Sequence, residues 1–498
     1  MLRRLFATLS LAVLGAGFSG RVARAQIPAA EYAARRDSLA ARMGDGVLLA
    51  LGASEPAHDY EHFWQASPFL YLTGYREPDA ALVMVKRNGR VTSTLFVQPK
   101  DPAAEVWTGM RTGVEAAPRV TGLAARRYDE LRGVLDSLLA GAPRLYVVGD
   151  LAGGEGDIDG GGGRLTPDQQ TVLALRQAHP RVQVSDAAPV VDRLRGRKSP
   201  AELALIRRAV DITVDAHREA MRALEPGMNE FELQALIEYT FRRQGADRPS
   251  FATIVGSGAN STTLHYNADD RFMNAGEVVV MDIGASALGY AADVTRTLPV
   301  SGTFSPAQRE IYQLVRDAQA AAERQAKLGA PSRLMDDSSR AVLAAGLARL
   351  GLTEGPTATY DCDEGGQRQC PQLALYYMHS LGHGIGLDVH DPEQFYLTGR
   401  IAPGSAFTIE PGIYVRRNLL EIIPDTPRNR AMKGKIRAAV ERYRDIGVRI
   451  EDDYVATETG VEWISRAPRE IDEIEAGMRA TNGGPAGRDP KKVEWRRP

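Results

Sequence analysis

Residues 277–296 have the sequence EVVVMDIGASALGYAADVTR. An apolar run, a short small-residue segment and a second apolar run predict two strands joined by a turn near Ala287-Leu288. In a hairpin symmetric about that turn, Asp282 and Asp293 lie directly opposite each other. Two like charges in that arrangement destabilise a sheet. The segment therefore predicts either a cation between the carboxylates, or one Asp in the turn and one that caps the chain.

A second cluster contains three of the eight histidines, within the twelve residues from His379 to His390. A lone histidine usually has a structural role, but this density in a Gly-rich segment favours a functional site. Two acidic segments follow: Glu410 precedes a Pro-Gly turn, and Glu451 lies in the sequence RIEDD. Taken alone, RIEDD is typical of a solvated run of charge.

Together these segments supply four carboxylates and one imidazole, those of Asp282, Asp293, His383, Glu410 and Glu451. An oxygen-rich set with one nitrogen suits Mn²⁺, Co²⁺, Fe²⁺ or Zn²⁺. Four carboxylates neutralise two divalent ions, and a water shared by two ions becomes a nucleophile near neutral pH. The residues therefore predict a two-metal site and a hydrolytic reaction.

These motifs, in this order over residues 190–470, resemble the pita-bread metallopeptidases and, within them, the Xaa-Pro aminopeptidases (aminopeptidase P). Further matching segments are RKSPAE (197–202), IVGSG (254–258) with His265-Tyr266, and YLTGYREPDA (71–80) in the N-terminal part. The resemblance implies an α/β (α+β) chain. We expect a signal peptide over 1–25, a mixed α/β N-terminal domain over 26–185, a pita-bread catalytic domain over 186–480 and a flexible tail over 481–498.

The resemblance also implies the metal ligands. Asp282 would bind one ion, Asp293 and Glu451 would bridge the two, and His383 and Glu410 would complete the shells. The cofactor would be two divalent ions, with Mn²⁺ favoured over Co²⁺, Zn²⁺ and Fe²⁺.

The same resemblance places five side chains against the substrate. His265 and His390 would hydrogen-bond the scissile carbonyl, and His379 would line the same pocket. Glu410 would pass a proton to the leaving prolyl nitrogen, and Arg449 would orient Glu451 or meet the peptide. Trp107 either covers a neighbouring subunit's site or lies in the core, and the core position is favoured.

Two segments depart from the family pattern. One is an insertion between Tyr414 and Arg449 with a charged helical stretch over 430–444, and the other is the Cys362–Cys370 loop. Both are candidates for reshaping the cleft and limiting peptide length. Because an exported protein meets an oxidising compartment, the two cysteines predict a local disulfide, with two free thiols as the alternative.

The leading hypothesis is an exported enzyme that removes the first residue from peptides with Pro second, by attack of a metal-bridging hydroxide. The alternative is a prolidase that cleaves only Xaa-Pro dipeptides, which the insertion favours and the N-terminal domain opposes. A metal-free hydrolase or a binding protein of the same fold would have discarded the five ligands that this chain retains.

Composition and the N-terminal sequence limit which partners and which location we expect. Lys+Arg number 61 against 63 Asp+Glu, a net charge of −2 without a long basic block, so neither nucleic acid nor an anionic membrane is expected. Arg3 and Arg4 precede an apolar run that ends in the cleavage-type sequence ARA (23–25). We expect export to a bacterial periplasm or the extracellular space, with an uncleaved anchor as the alternative, and a homo-oligomer that binds peptide.

Overall fold

The computed structural model describes residues 26–58, 61–151 and 165–479. The expected signal peptide over 1–25 and tail over 481–498 lie outside the described residues. Among the described residues, no helix combines the length and apolarity needed to cross a bilayer.

The N-terminal part is built on one six-stranded mixed sheet. Its strands are β1 (Gly46–Leu51), β2 (Ala81–Arg87), β3 (Arg90–Val97), β4 (Ala124–Arg127), β5 (Arg144–Val148) and β6 (Gln183–Asp186). They lie in the order β4-β3-β2-β1-β5-β6, with β1–β2 and β2–β3 antiparallel and the other pairs parallel. The β2–β3 hairpin turns at Asn88-Gly89, where both residues have positive φ (50° and 77°), as a tight hairpin requires.

In the described part of the chain, seven helices flank and follow this sheet: α1 (Ala29–Ala41), α2 (Ser67–Thr73), α3 (Pro102–Thr108), α4 (Gly113–Thr121), α5 (Leu131–Leu139), α6 (Pro167–Ala178) and α7 (Ala188–Arg195). Residues of both parts of the chain share one apolar cluster, as Leu70, Ile206 and Val455 show. The Ser67 hydroxyl also donates to Asp388, 2.5 Å away. The N-terminal part therefore supports the turn that precedes His390.

The catalytic part contains the helices α8 (Pro200–Ala223), α9 (Glu230–Arg243), α10 (Pro306–Gln325), α11 (Arg333–Arg349), α12 (Gln394–Thr398), α13 (Leu419–Ile422), α14 (Pro427–Tyr443) and α15 (Ile471–Arg479). Capping boxes begin α8 at Ser199 and α10 at Ser305, which satisfies backbone N–H groups at each N-terminus.

The strands of this part are β7 (Arg248–Pro249), β8 (Ile254–Ser257), β9 (Val278–Ile283), β10 (Ala285–Ala287), β11 (Tyr290–Ala291), β12 (Val294–Pro299), β13 (Thr359–Asp361), β14 (Gln369–Pro371), β15 (Ala406–Ile409), β16 (Gly412–Val415), β17 (Ile446–Arg449), β18 (Asp452–Thr457) and β19 (Gly460–Trp463). They form the small sheets β12-β9-β8, β11-β10-β7, β15-β18-β19, β16-β17 and β13-β14. The predicted α/β class is confirmed.

The register of the β9–β12 pair corrects one expectation. Asp282 lies opposite Thr295, not opposite Asp293. The turn is centred one residue later than predicted, on Leu288-Gly289, where φ is 49° and 84°. Because Asp293 lies two residues before Thr295, it projects from the same face as Asp282 along the diagonal of the pair.

The two segments that depart from the family pattern pack on each other. Cys362 and Cys370 form a disulfide across the β13–β14 hairpin, so the free-thiol alternative is excluded. Asn429, in the inserted helix α14, exchanges hydrogen bonds with the backbone of Asp361. The inserted helix is therefore anchored to the hairpin.

Candidate active site

Five strand ends and loops bring the predicted metal ligands to one point. Asp282 lies in β9, Asp293 precedes β12, Glu410 follows β15, and Glu451 lies between β17 and β18. The Nε2 atom of His383 lies 3.5 Å from a carboxylate oxygen of Asp293, 3.5 Å from Glu410 and 3.9 Å from Glu451. Asp293, His383 and Glu451 each offer one possible metal-ligand atom, and these three atoms all lie within 4.8 Å of one another.

Three of these carboxylates have a buried oxygen without a hydrogen-bond partner among the described residues. They are Oδ1 of Asp282, Oδ1 of Asp293 and Oε1 of Glu451. A buried, unpartnered carboxylate oxygen is costly unless a cation binds it. The donor set is four carboxylates and one imidazole, so the residues fit hard or borderline divalent ions.

Crowding of like charges dominates the electrostatics of the centre. Burial, together with the charge of Glu451, raises the pKa of Asp293 well above its usual value. Burial and the charge of Glu410 do the same to the pKa of Glu451. Burial also raises the pKa of Glu410 to about 8 and lowers that of His383 to about 4. His383 is therefore neutral at pH 7, the form in which an imidazole binds metal.

Asp282 differs from its neighbours because Arg449 pairs with it. Burial disfavours its charged form, but the Arg449 guanidinium, 2.6 Å away, outweighs burial and lowers the pKa of Asp282. Arg449 donates to Asp282, Thr295 and the backbone of Leu264, and the Thr295 hydroxyl donates in turn to Glu451 at 2.7 Å. Arg449 is therefore linked to Glu451 through Thr295, and its predicted contact with the peptide stays a prediction.

Tyr414 is a site residue that the sequence reasoning missed. Its hydroxyl accepts a hydrogen bond from Arg449 (3.0 Å) and lies 2.9 Å from Nε2 of His379. A continuous chain therefore runs from His379 through Tyr414 and Arg449 to Asp282. A signal was present in the sequence at Gly412, two residues before Tyr414. A larger residue does not fit there, because an added Cβ would lie 2.4 Å from the Tyr414 hydroxyl.

The centre opens into a cavity of about 530 Å³. His265, His379 and His390 line it, and the ring centroids of His390 and His383 are 4.2 Å apart. Apolar side chains that the sequence did not single out complete the wall: Phe251, Leu264, Val389 and Tyr396. All nine distinct side chains proposed for metal or substrate therefore border one cavity.

Two predictions about segments outside the metal centre are wrong. Trp107 is not a core residue, because 76% of it is exposed on α3, a helix without a buried residue. Within the described part of the chain, neither residues 416–448 nor the hairpin 359–371 contributes to the cavity wall. The insertion therefore does not support the alternative in which the cleft is narrowed and admits only dipeptides.

Comparison with known proteins places this geometry in a family. The model of metallopeptidase family M24 matches residues 204–458, and that of the aminopeptidase P N-terminal domain matches residues 32–147. The chain belongs to metallopeptidase family M24. This M24 peptidase is 35% identical to the Xaa-Pro aminopeptidase of Escherichia coli (strain K12), over 91% of this chain and 98% of that protein. It is 33% identical to Xaa-Pro aminopeptidase 1 of Streptomyces coelicolor, over 91% and 88% of the two chains.

Solved structures show the same two-part architecture. The fold matches proline aminopeptidase P II from Yersinia pestis with a TM-score of 0.76 at 32% identity, covering 91% of this chain and 100% of that one. It matches zinc-substituted E. coli aminopeptidase P in complex with product with a TM-score of 0.75 at 33% identity, covering 91% and 99%. The predicted N-terminal aminopeptidase P-like domain and pita-bread catalytic domain are confirmed.

Proposed function

We propose that this M24 peptidase removes the N-terminal residue from peptides whose second residue is proline. The observation that carries the proposal is the convergence of five ligand side chains with His265 and His390 on one cavity. Relatives that align along nearly their whole length are named Xaa-Pro aminopeptidases, which supports the substrate class.

The proposed cofactor is two divalent ions, Mn²⁺ first among them. The residues that would hold the ions through their carboxylate oxygens and the neutral imidazole are Asp282, Asp293, His383, Glu410 and Glu451. Bound there, such ions polarise a carbonyl and lower the pKa of water to near neutrality.

The protein's own groups would orient the substrate and move a proton. His265 and His390 would donate hydrogen bonds to the scissile carbonyl as it gains negative charge. Glu410 would carry a proton to the leaving prolyl nitrogen, which cannot depart as an anion. The apolar wall of Phe251, Leu264 and Tyr396 suits a pyrrolidine ring, which fixes φ and offers no N–H to a polar wall.

Location and assembly complete the proposal. The basic, apolar and small-residue order of residues 1–25 supports export to the periplasm or the extracellular space. Three large apolar side chains are exposed close together around α3. Monomeric proteins seldom expose a patch of this kind, so it supports a homo-oligomer. The three side chains are Val106 (80% exposed), Trp107 (76%) and Met110 (84%).

Mass spectrometry of peptide cleavage tests the activity. Residues 26–498, loaded with Mn²⁺, would be incubated with Ala-Pro-Ala-Ala, Ala-Pro and the matched peptide Ala-Ala-Ala-Ala, with and without a chelator. We expect Ala to be released from Ala-Pro-Ala-Ala and the release to stop on chelation. Cleavage of Ala-Pro alone would establish a prolidase, and equal cleavage of Ala-Ala-Ala-Ala would remove proline from the proposal.

A further inference from the structure

The loop between Thr263 and Glu277 carries His265 into the cavity. The His265 imidazole is exposed and has no side-chain hydrogen bond to the described residues. The backbone on either side of it therefore sets where the imidazole is attached and how far into the cavity it can reach. That makes the anchoring of this loop a determinant of any role that His265 has in the proposed reaction.

One anchor is Glu230, the first residue of α9, whose side chain is fully buried. Its carboxylate accepts hydrogen bonds from the Ser257 N–H (2.7 Å) and the Ser257 hydroxyl (2.6 Å). It also accepts from the Tyr266 hydroxyl (2.9 Å) and the Arg271 N–H (2.9 Å). A single carboxylate thus joins the end of β8 to two points of the loop.

Two further contacts hold the same loop. On the near side of His265, Arg449 donates to the carbonyl of Leu264, 3.3 Å away. On the far side, the Val255 N–H donates to the buried Asp269 carboxylate at 2.9 Å. His265 therefore lies between Leu264 and Tyr266, which are anchored to different elements.

We propose that Glu230 is a positioning residue for His265 and acts through the Tyr266 hydroxyl. The inference rests on the proposed function in assigning His265 to the substrate. Charge-assisted hydrogen bonds to a buried carboxylate are short and strong, so Glu230 fixes the residue next to His265 within a narrow range. Displacement of a substrate-orienting group by about 1 Å can cost on the order of a hundredfold in rate.

Tyr266→Phe removes this contact together with the longer one that the same hydroxyl makes to the Asp270 carboxylate, 3.2 Å away. Glu230→Gln would also disturb Ser257 and Arg271, whereas the tyrosine variant removes one hydroxyl and leaves those bonds in place. Tyr239→Phe is the matched control. Tyr239 is 61% exposed and lies on α9, the helix that begins at Glu230. We expect Tyr239→Phe to leave turnover unchanged.

A double-mutant cycle with His265→Ala separates positioning from a general structural role. In the full Mn²⁺-loaded enzyme we expect Tyr266→Phe to lower kcat about tenfold and to change KM less than about twofold. In the His265→Ala background the same change should alter kcat by less than about twofold. An equal loss of kcat in both backgrounds would overturn the proposal.

Amide hydrogen exchange gives a readout that does not depend on substrate. We expect Tyr266→Phe to speed exchange over residues 264–271 while β9 stays protected. Unchanged exchange in the loop would overturn the positioning role. If the enzyme failed to cleave any Xaa-Pro peptide but the loop loosened as expected, the proposed function would fail and the anchoring would stand.

Discussion

Glu451 and Asp452 are consecutive, fully buried carboxylates with opposite electrostatic environments. Glu451 faces Glu410 and Asp282, and its Oε1 atom has no partner among the described residues. Burial together with these like charges raises its pKa well above the usual value. A carboxylate in this position is stable as an anion only when a cation joins it.

Asp452 projects away from the metal centre, and four side chains donate hydrogen bonds to it. Arg296 donates to it at 2.7 Å, Arg469 at 2.8 Å, Gln319 at 2.9 Å and Ser465 at 2.6 Å. Burial opposes its charge, but the two guanidinium groups outweigh burial and its pKa is lowered. For these two equally buried neighbours the partners make the difference, because Asp452 is held by two guanidinium groups whereas Glu451 keeps one oxygen without a partner among the described residues.

The largest effect is expected for Asp293→Asn, which removes one of the carboxylates proposed to hold the two ions. Activity should fall by more than the roughly hundredfold loss typical of substitutions outside the first ligand shell. Far-UV circular dichroism should show an intact fold, since Asn is nearly isosteric with Asp. Turnover near that of the wild type would contradict a two-metal centre at this position.

Relative to the wild type, Asp293→Asn should stabilise the metal-free protein and destabilise the Mn²⁺-loaded protein. With chelator, Asp293→Asn should unfold at a higher temperature than the wild type, because one of several crowded negative charges is gone. With Mn²⁺ the order should reverse, since the wild type binds the ions more tightly and gains stability by linkage. Thermal melts of both proteins under both conditions check this, and an order that does not reverse would contradict it.

Asp452→Asn should affect stability more than chemistry. Breaking its buried pairs with Arg296 and Arg469 should cost about 3 kcal/mol of unfolding free energy, near the low end for such pairs because Asn retains hydrogen-bonding atoms. Urea unfolding of the Mn²⁺-loaded protein measures the cost. Unchanged stability combined with a loss of bound metal would reverse the assignment of the two carboxylates.

A smaller effect is expected for Tyr414→Phe. The hydroxyl links His379 to Arg449, so its loss should lower kcat by about tenfold, the low end for groups behind a metal ligand. The melting temperature should shift little, because a single hydrogen bond contributes about 1 kcal/mol. A variant with full kcat would show that the chain from His379 to Asp282 does not serve the reaction.

Local patterns made much of the fold predictable. The capping boxes at Ser199 and Ser305 and the Asn88-Gly89 turn each depend only on residues close together in the chain, so a local pattern encodes them. The turn after β9 was misplaced by one residue because it requires positive φ at Leu288, a residue type that rarely adopts it. That shift changed the pairing of Asp282 but not its face.

Residue types and spacing nominated the five metal ligands, and the family resemblance added His265 and Arg449, but neither explained the environments of these side chains. The sequence RIEDD does not distinguish Glu451 from Asp452, because their partners lie far away along the chain, at Glu410 and Arg296. Trp107 was assigned to the core on residue type alone, whereas α3 lies entirely at the surface. Such features depend on tertiary contacts that a local pattern does not encode.

Calorimetric titration of Mn²⁺ into chelator-treated protein tests the central claim, that the unpaired carboxylates are a two-ion site. We expect two ions per wild-type chain, two per chain of Asp452→Asn, and fewer or much weaker binding in Asp293→Asn. Absence of binding to the wild type, or equal binding by wild type and Asp293→Asn, would contradict the claim.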